Sequence, residues 1–187
     1  EEVGSAGSLA VALRGYKADG AIIPEPSKYA VVPACQGSTF FRISVPGKTA
    51  HGAYHYLGIN AIKKAQFLMD KLDELEEKRQ KEFFNDLFSC YPIQCPIAVG
   101  KLNSGAWPSM SPDLAVFEGR YGVTYKETVA EAKAYFMDFM ERAWQEDEWL
   151  KENPPKVEWL EFWNSGITDI EHEIVKTAVR IHEEFEG

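Results

Sequence analysis

The stretch from Thr39 to Phe162 allows few folds, because its apolar periodicity switches between two and three-to-four in a fixed order. Thr39 to Val45 alternates Thr39, Phe41, Ile43 and Val45 against Phe40, Arg42 and Ser44, which predicts a strand ended by Pro46-Gly47. A helix is expected from about Gly58 to Phe83, with Ile62, Ala65, Met69 and Leu72 inward and Lys63, Lys64, Lys71, Glu74 and Lys78 outward. His51 and His55 before it are spaced as on one helix face, but Gly52 and Gly58 argue for a loop that enters the helix at Asn60. Ile97 to Leu102 and Leu114 to Tyr121 read as strands joined by the turn Ser104 to Pro112. A second helix, about Lys126 to Leu150, turns Val129, Ala132, Phe136, Phe139 and Ala143 inward. Pro154-Pro155 stops it, and Val157 to Phe162 is a last strand.

Strand, helix, strand, strand, helix, strand is the β-α-β-β-α-β order of a ferredoxin-like plait, an α+β fold with two helices on one face of a four-stranded sheet. The plait is expected to span residues 37–162. Residues 1–36 and 163–187 are then two pieces of one other domain, into which the plait is inserted. In those pieces a short helix is expected over Gly4 to Arg14, strands at Ala21 to Ile23 and Tyr29 to Ala34, and an amphipathic helix over Ile170 to Phe185. Glu1-Glu2 opens the chain abruptly and the last helix stops at Gly187, so both ends read as cut from a longer polypeptide.

Charge narrows the partners. With 20 basic against 29 acidic residues the net charge is −9, which repels phosphate backbones and anionic lipid. No apolar run approaches the ~20 residues of a membrane span. The three cysteines form no C-x-x-C pair, so a reducing, cytoplasmic setting is expected, with Cys35 and Cys95 as buried, inert thiols. Nucleic acid and membrane are therefore not expected partners.

The carboxylates carry the candidate chemistry. Glu1 and Glu2 are adjacent, and Glu25 is held between Pro24 and Pro26 at an expected strand end. Paired acids suit a divalent cation and can deprotonate its bound water, although a double Glu is also a common surface feature. His51 and His55 lack the His-Glu-x-x-His arrangement, which excludes a zincin site. There is no Gly-rich phosphate loop and no Gly-x-Ser-x-Gly elbow.

Motif order adds to this. Glu1-Glu2-Val3-Gly4-Ser5-Ala6-Gly7, then Asp19-Gly20-Ala21-Ile22-Ile23-Pro24-Glu25-Pro26-Ser27, then Gly47-Lys48-Thr49-Ala50-His51-Gly52-Ala53 and Gly58-Ile59-Asn60-Ala61-Ile62 follow one another. Gly105-Ala106-Trp107-Pro108 and Ser111-Pro112-Asp113 through Glu118-Gly119-Arg120 come later. The set resembles the co-catalytic zinc hydrolases of the acetylornithine deacetylase, succinyl-diaminopimelate desuccinylase and aminoacylase family.

The resemblance implies an amide hydrolase acting on N-acyl amino acids or peptide-like substrates through two zinc ions, with cobalt or manganese as alternatives. It implies Glu1 as general base, Glu2 as ligand of one zinc and Glu25 as ligand of the other. His51 would be the lid histidine that crosses a homodimer interface to the partner's active site, and Arg120 the binder of the substrate carboxylate. Ser109 stands in the substrate-binding turn of the lid where many relatives carry Asn. The family's first His, bridging Asp and distal His are not in this sequence. On its own the chain is therefore expected neither to bind zinc tightly nor to turn over an amide. The alternative is a lid that serves only to pair subunits, with the helix Gly58 to Phe83 or an edge strand near Thr39 to Val45 as the expected pairing surface.

Overall fold

A computed structural model describes residues 6–25 and 27–186. The chain divides into two compact units, Gln36–Asn164 and the described residues of 1–35 with 165–187.

The unit Gln36–Asn164 is built from β1 (Gly37–Pro46), α1 (Ala61–Glu82), β2 (Ile97–Ser104), β3 (Leu114–Val123), α2 (Val129–Trp144), the short α3 (Glu148–Glu152) and β4 (Lys156–Trp163). The strands pair antiparallel in the order β2-β3-β1-β4. This is the ferredoxin-like plait expected from the periodicity. β1 alternates as its sequence requires, with Phe41, Ile43 and Val45 wholly buried and Phe40, Arg42 and Ser44 on the other face. Leu68, Leu72 and Leu75 of α1, Phe117 and Tyr121 of β3, and Phe136 and Met140 of α2 complete the core.

Both helices start where a side chain satisfies their first amides. The Asn60 side chain accepts from the Ile62 N–H at 2.9 Å. Thr128 and Glu131 form a reciprocal capping box at α2. The expected single helix from Lys126 to Leu150 is two helices. Asp147 Oδ1 accepts the N–H groups of Trp149 and Leu150, both at 3.0 Å, which starts a new helix where the old one would have continued. Lys64 donates to the same carboxylate at 2.6 Å.

Three further expectations are corrected. Ile62 does not face inward; the buried stripe of α1 is Ala61, Ala65, Leu68, Leu72, Leu75 and Arg79. β1 is central and paired on both sides, so it offers no edge for pairing with another chain; the edges are β2 and β4. Cys35 is exposed, whereas Cys95 is buried as expected.

In the other unit a helix runs Ala6–Leu13 and ends at Gly15, which adopts φ +83°. Ala21 to Ile23 is not a strand and its apolar side chains are exposed. Tyr29 to Ala34 is not one either, because Lys28 and Tyr29 take left-handed backbone angles that turn the chain. Among the described residues of this unit only Ala34–Cys35 pairs as strand, with Gly166–Ile167. The last helix is Glu173–Glu186. Among the described residues no helix is long and apolar enough to cross a membrane.

Candidate functional site

Beyond β1 the chain leaves the sheet as a closed arm. Lys48 and Ile59 exchange both backbone hydrogen bonds, at 2.8 and 2.9 Å, and so shut its base. Inside the arm Ala50–His51 pairs with Met110–Ser111, and Gly52–Leu57 makes a 3-10 turn. Two glycines allow this packing. A Cβ on Gly47 would lie 2.5 Å from the Ile59 carbonyl oxygen and 2.7 Å from that of Pro112. A Cβ on Gly52 would lie 2.9 Å from Ser109 Oγ. The Gly52 N–H instead donates to the Ser109 carbonyl at 2.7 Å.

His51 caps the 3-10 turn, its Nδ1 accepting from the Ala53 N–H at 3.2 Å. With Nδ1 occupied as an acceptor, a neutral imidazole carries its proton on Nε2, and the ring is exposed. His51 pairs with Met110, and its neighbour Gly52 bonds the Ser109 carbonyl, so His51 and Ser109 belong to the same arm. His55 lies in the same turn and is exposed.

Arg120 lies elsewhere. It sits opposite Phe40 and Ala98 in the sheet, on the face that carries no helix. Between Leu114, at the arm's end of β3, and Arg120 the strand runs about 20 Å. A hollow of about 530 Å³ opens on this face, lined by Phe40, Lys101, Glu118, Arg120, Leu160 and Glu161. Arg42 donates to Glu118 at 2.8 Å and Lys101 at 3.2 Å, and these hydrogen bonds hold the Glu118 carboxyl below its ordinary range. Arg120 is absent from these pairs.

Glu25 is exposed in the other unit, after Pro24. Glu1 and Glu2 lie outside the described residues, as does Pro26, one of the two prolines that bracket Glu25. Among the described residues no group of three or more His, Cys, Asp or Glu is placed to hold a metal ion. One exposed carboxylate falls short of the roughly four donors that zinc takes, so the described residues do not by themselves fit a metal pair.

Sequence reading missed one buried charge. Arg79 is wholly buried on the apolar stripe of α1, paired with Glu127 and donating to the Gly122 carbonyl at 3.0 Å. Its guanidinium lies 4.6 Å from the Tyr121 ring and 4.7 Å from that of Phe83. The signal was its spacing, since Arg79 continues the series Leu68, Leu72, Leu75. Burial, only partly offset by Arg79, pushes the Cys95 thiol up to about 11 and leaves it inert.

A four-stranded plait with both of its long helices on one sheet face and a histidine-bearing arm defines an α+β module of ferredoxin-like type. The chain belongs to the M20 peptidase dimerisation domain family, whose sequence model matches residues 34–148. A protein described as a probable carboxypeptidase, from Talaromyces marneffei, is 41% identical over 56 residues, which is 30% of this chain and 12% of that protein. Among solved structures, a tripeptidase from Staphylococcus aureus aligns with TM-score 0.55 at 14% identity, over 83% of this chain and 37% of its own. An amidase of the hydantoinase/carbamoylase family from Burkholderia vietnamiensis aligns with TM-score 0.58 at 15% identity, over 83% of this chain and 34% of its own. The chain thus spans about a third of the length of these solved relatives, and their likeness to it is one of fold.

Proposed function

We propose that this chain is the lid and dimerisation module, with flanking catalytic-domain pieces, of a cytoplasmic metal-dependent hydrolase that cleaves amides of N-acyl amino acids or peptides. The observation that carries the reading is the setting of His51. Its Nδ1 is tied to the Ala53 N–H, which leaves an exposed Nε2–H free to donate to an oxyanion as it develops on a scissile carbonyl. A donor used in this way contributes about 3–4 kcal/mol to the transition state. Arg120, beside the hollow on the sheet face away from the plait's helices, would take a substrate carboxylate, and Ser109 would contact substrate from the arm, which lies about 20 Å away along β3 and so would serve the partner's site together with His51.

The parent enzyme would use two divalent cations, zinc with cobalt or manganese as alternatives. Glu2 and Glu25 would each supply one donor, and Glu1 would be the base. The remaining donors would come from chain outside this sequence, and the 187-residue chain alone would then be inactive.

Pairing would be between two copies through the β2 edge. Among the described residues β2 pairs with a strand on one side only, with the Ile97 N–H on its outer side taken by Glu76 Oε2 at 2.6 Å; Leu102 on β2 is 43% exposed and Ile62 of α1 is 40% exposed. An apolar residue that breaks the inward pattern of its own helix is accounted for when another subunit covers it.

The test is His51→Ala and His51→Gln in the full-length hydrolase, assayed on N-acyl amino acids with and without chelator. Turnover should fall about 10²–10³-fold with the dimer retained. Unchanged turnover would leave the pairing role alone, which the family match to a dimerisation domain supports independently.

A further inference from the structure

The segment between α1 and β2 is a loop tied down by side-chain amide hydrogen bonds that displays most of its apolar side chains. Gln94, almost wholly buried, clamps it: its Oε1 accepts the Asn85 N–H and its Nε2 donates to the Asn85 carbonyl, both at 2.8 Å. The Gln94 N–H donates to Gln80 Oε1 at 2.7 Å, and Asn85 also bonds the Tyr125 hydroxyl. Phe88 is the inward anchor, its ring against that of Tyr125. With that anchor set, Phe84, Leu87, Tyr91 and Ile93 stand 51, 38, 57 and 47% exposed. A loop that invests buried amide hydrogen bonds in one conformation and leaves four large apolar groups outside it is preorganised for contact.

Continuity with the open edge selects the occupant. The loop joins α1 to β2, and among the described residues β2 pairs with a strand on one side only. A strand that pairs with its own two-fold mate runs antiparallel to it, so the start of one β2 lies beside the end of the other. The segment just before Ile97 then faces the segment just after Ser104, where Gly105 turns the chain at φ +80° and Trp107 is 66% exposed.

We infer that the apolar knuckle Phe84, Leu87, Tyr91 and Ile93 of one copy packs on the partner's Trp107. The inference rests on the β2-edge pairing proposed above and extends it to the histidine arm. The turn that carries Trp107 continues into Ser109 and Met110, whose backbones hold Gly52 and His51. Each protomer therefore steadies the other's His51, which makes the knuckle a positioning element.

The test is sedimentation equilibrium of the 187-residue chain at tens of micromolar, wild type against Tyr91→Asp/Ile93→Asp and against Trp107→Ser, with circular dichroism melts as folding control. Each variant should weaken the dimer about ten-fold or more and speed amide exchange at Gly52. With Cys35 and Cys90 replaced by serine, a mixture of Ile93→Cys and Trp107→Cys chains should cross-link with a short bismaleimide. A wild-type dimer whose constant neither variant changes, or that gives no mixed cross-link, overturns the inference and leaves edge pairing standing. A monomeric wild type overturns both.

Discussion

Within Gln36–Asn164, Phe41, Phe117, Leu68 and Phe136 reach no solvent. Among the described residues of the other unit, Leu9, Leu13, Ile22 and Ile23 all stand in solvent, Leu13 at 77% exposure. The first region builds a closed core of its own and leaves apolar side chains exposed at its periphery, on the loop before β2 and at Trp107. The second displays apolar side chains along a helix and an extended segment, an arrangement that calls for covering atoms from elsewhere. Stability measured on this chain should therefore report the plait.

The sharpest way to break that comparison is to attack the buried ion pair. Glu127→Ala leaves Arg79 charged and without its carboxylate, and should cost about 3–5 kcal/mol in urea unfolding. Replacing both, as Arg79→Met with Glu127→Leu, should recover most of that loss. Phe117→Ala belongs to the same class, with a cavity at the centre of the core and about 3–5 kcal/mol lost.

Next comes Thr128→Ala, which removes the capping box of α2 and should cost about 1 kcal/mol. Smaller still is a pH effect at Asp147. Burial acts to raise its carboxyl, but the Lys64 hydrogen bond and the Leu150 N–H outweigh it, so the group lies below the ordinary aspartate range. Its contribution is present above about pH 4 and is lost as pH falls through the lower folded value. Asp147→Asn should flatten that part of a stability–pH profile. Leu13→Ala should change unfolding by less than about 0.5 kcal/mol. A loss as large as that of Phe117→Ala would erase the distinction between the two regions.

The same contrast explains what could be read before the structure. The plait was legible because each element repeats its period several times, as Phe41, Ile43 and Val45 do in β1 and Ala132, Phe136 and Ala143 do in α2. Ala21 to Ile23 is too short to show a period, and its apolar character alone could not separate a strand from an exposed segment. The break at Asp147 was hidden because a side-chain cap competes locally with helix hydrogen bonds and leaves the apolar spacing intact. Ile62 misled because an apolar residue on the outer face of a helix looks the same in sequence as one that faces inward. At the site, the glycines around His51 revealed a loop, which the structure resolves into the arm and its 3-10 turn. That the arm docks on Ser109 could not be read, since it depends on pairing across a separation of nearly sixty residues. Glu1 and Glu2 rest on sequence alone.

The paired bonds between Lys48 and Ile59 have an engineering consequence. They bring the two ends of the arm to one fixed spot on the plait, so residues 49–58 form a cassette. Sequences of the same length that keep Gly47, Gly52 and Gly58 could be transplanted between relatives at that seam, exchanging the histidine's neighbours without redesigning the scaffold that bears them.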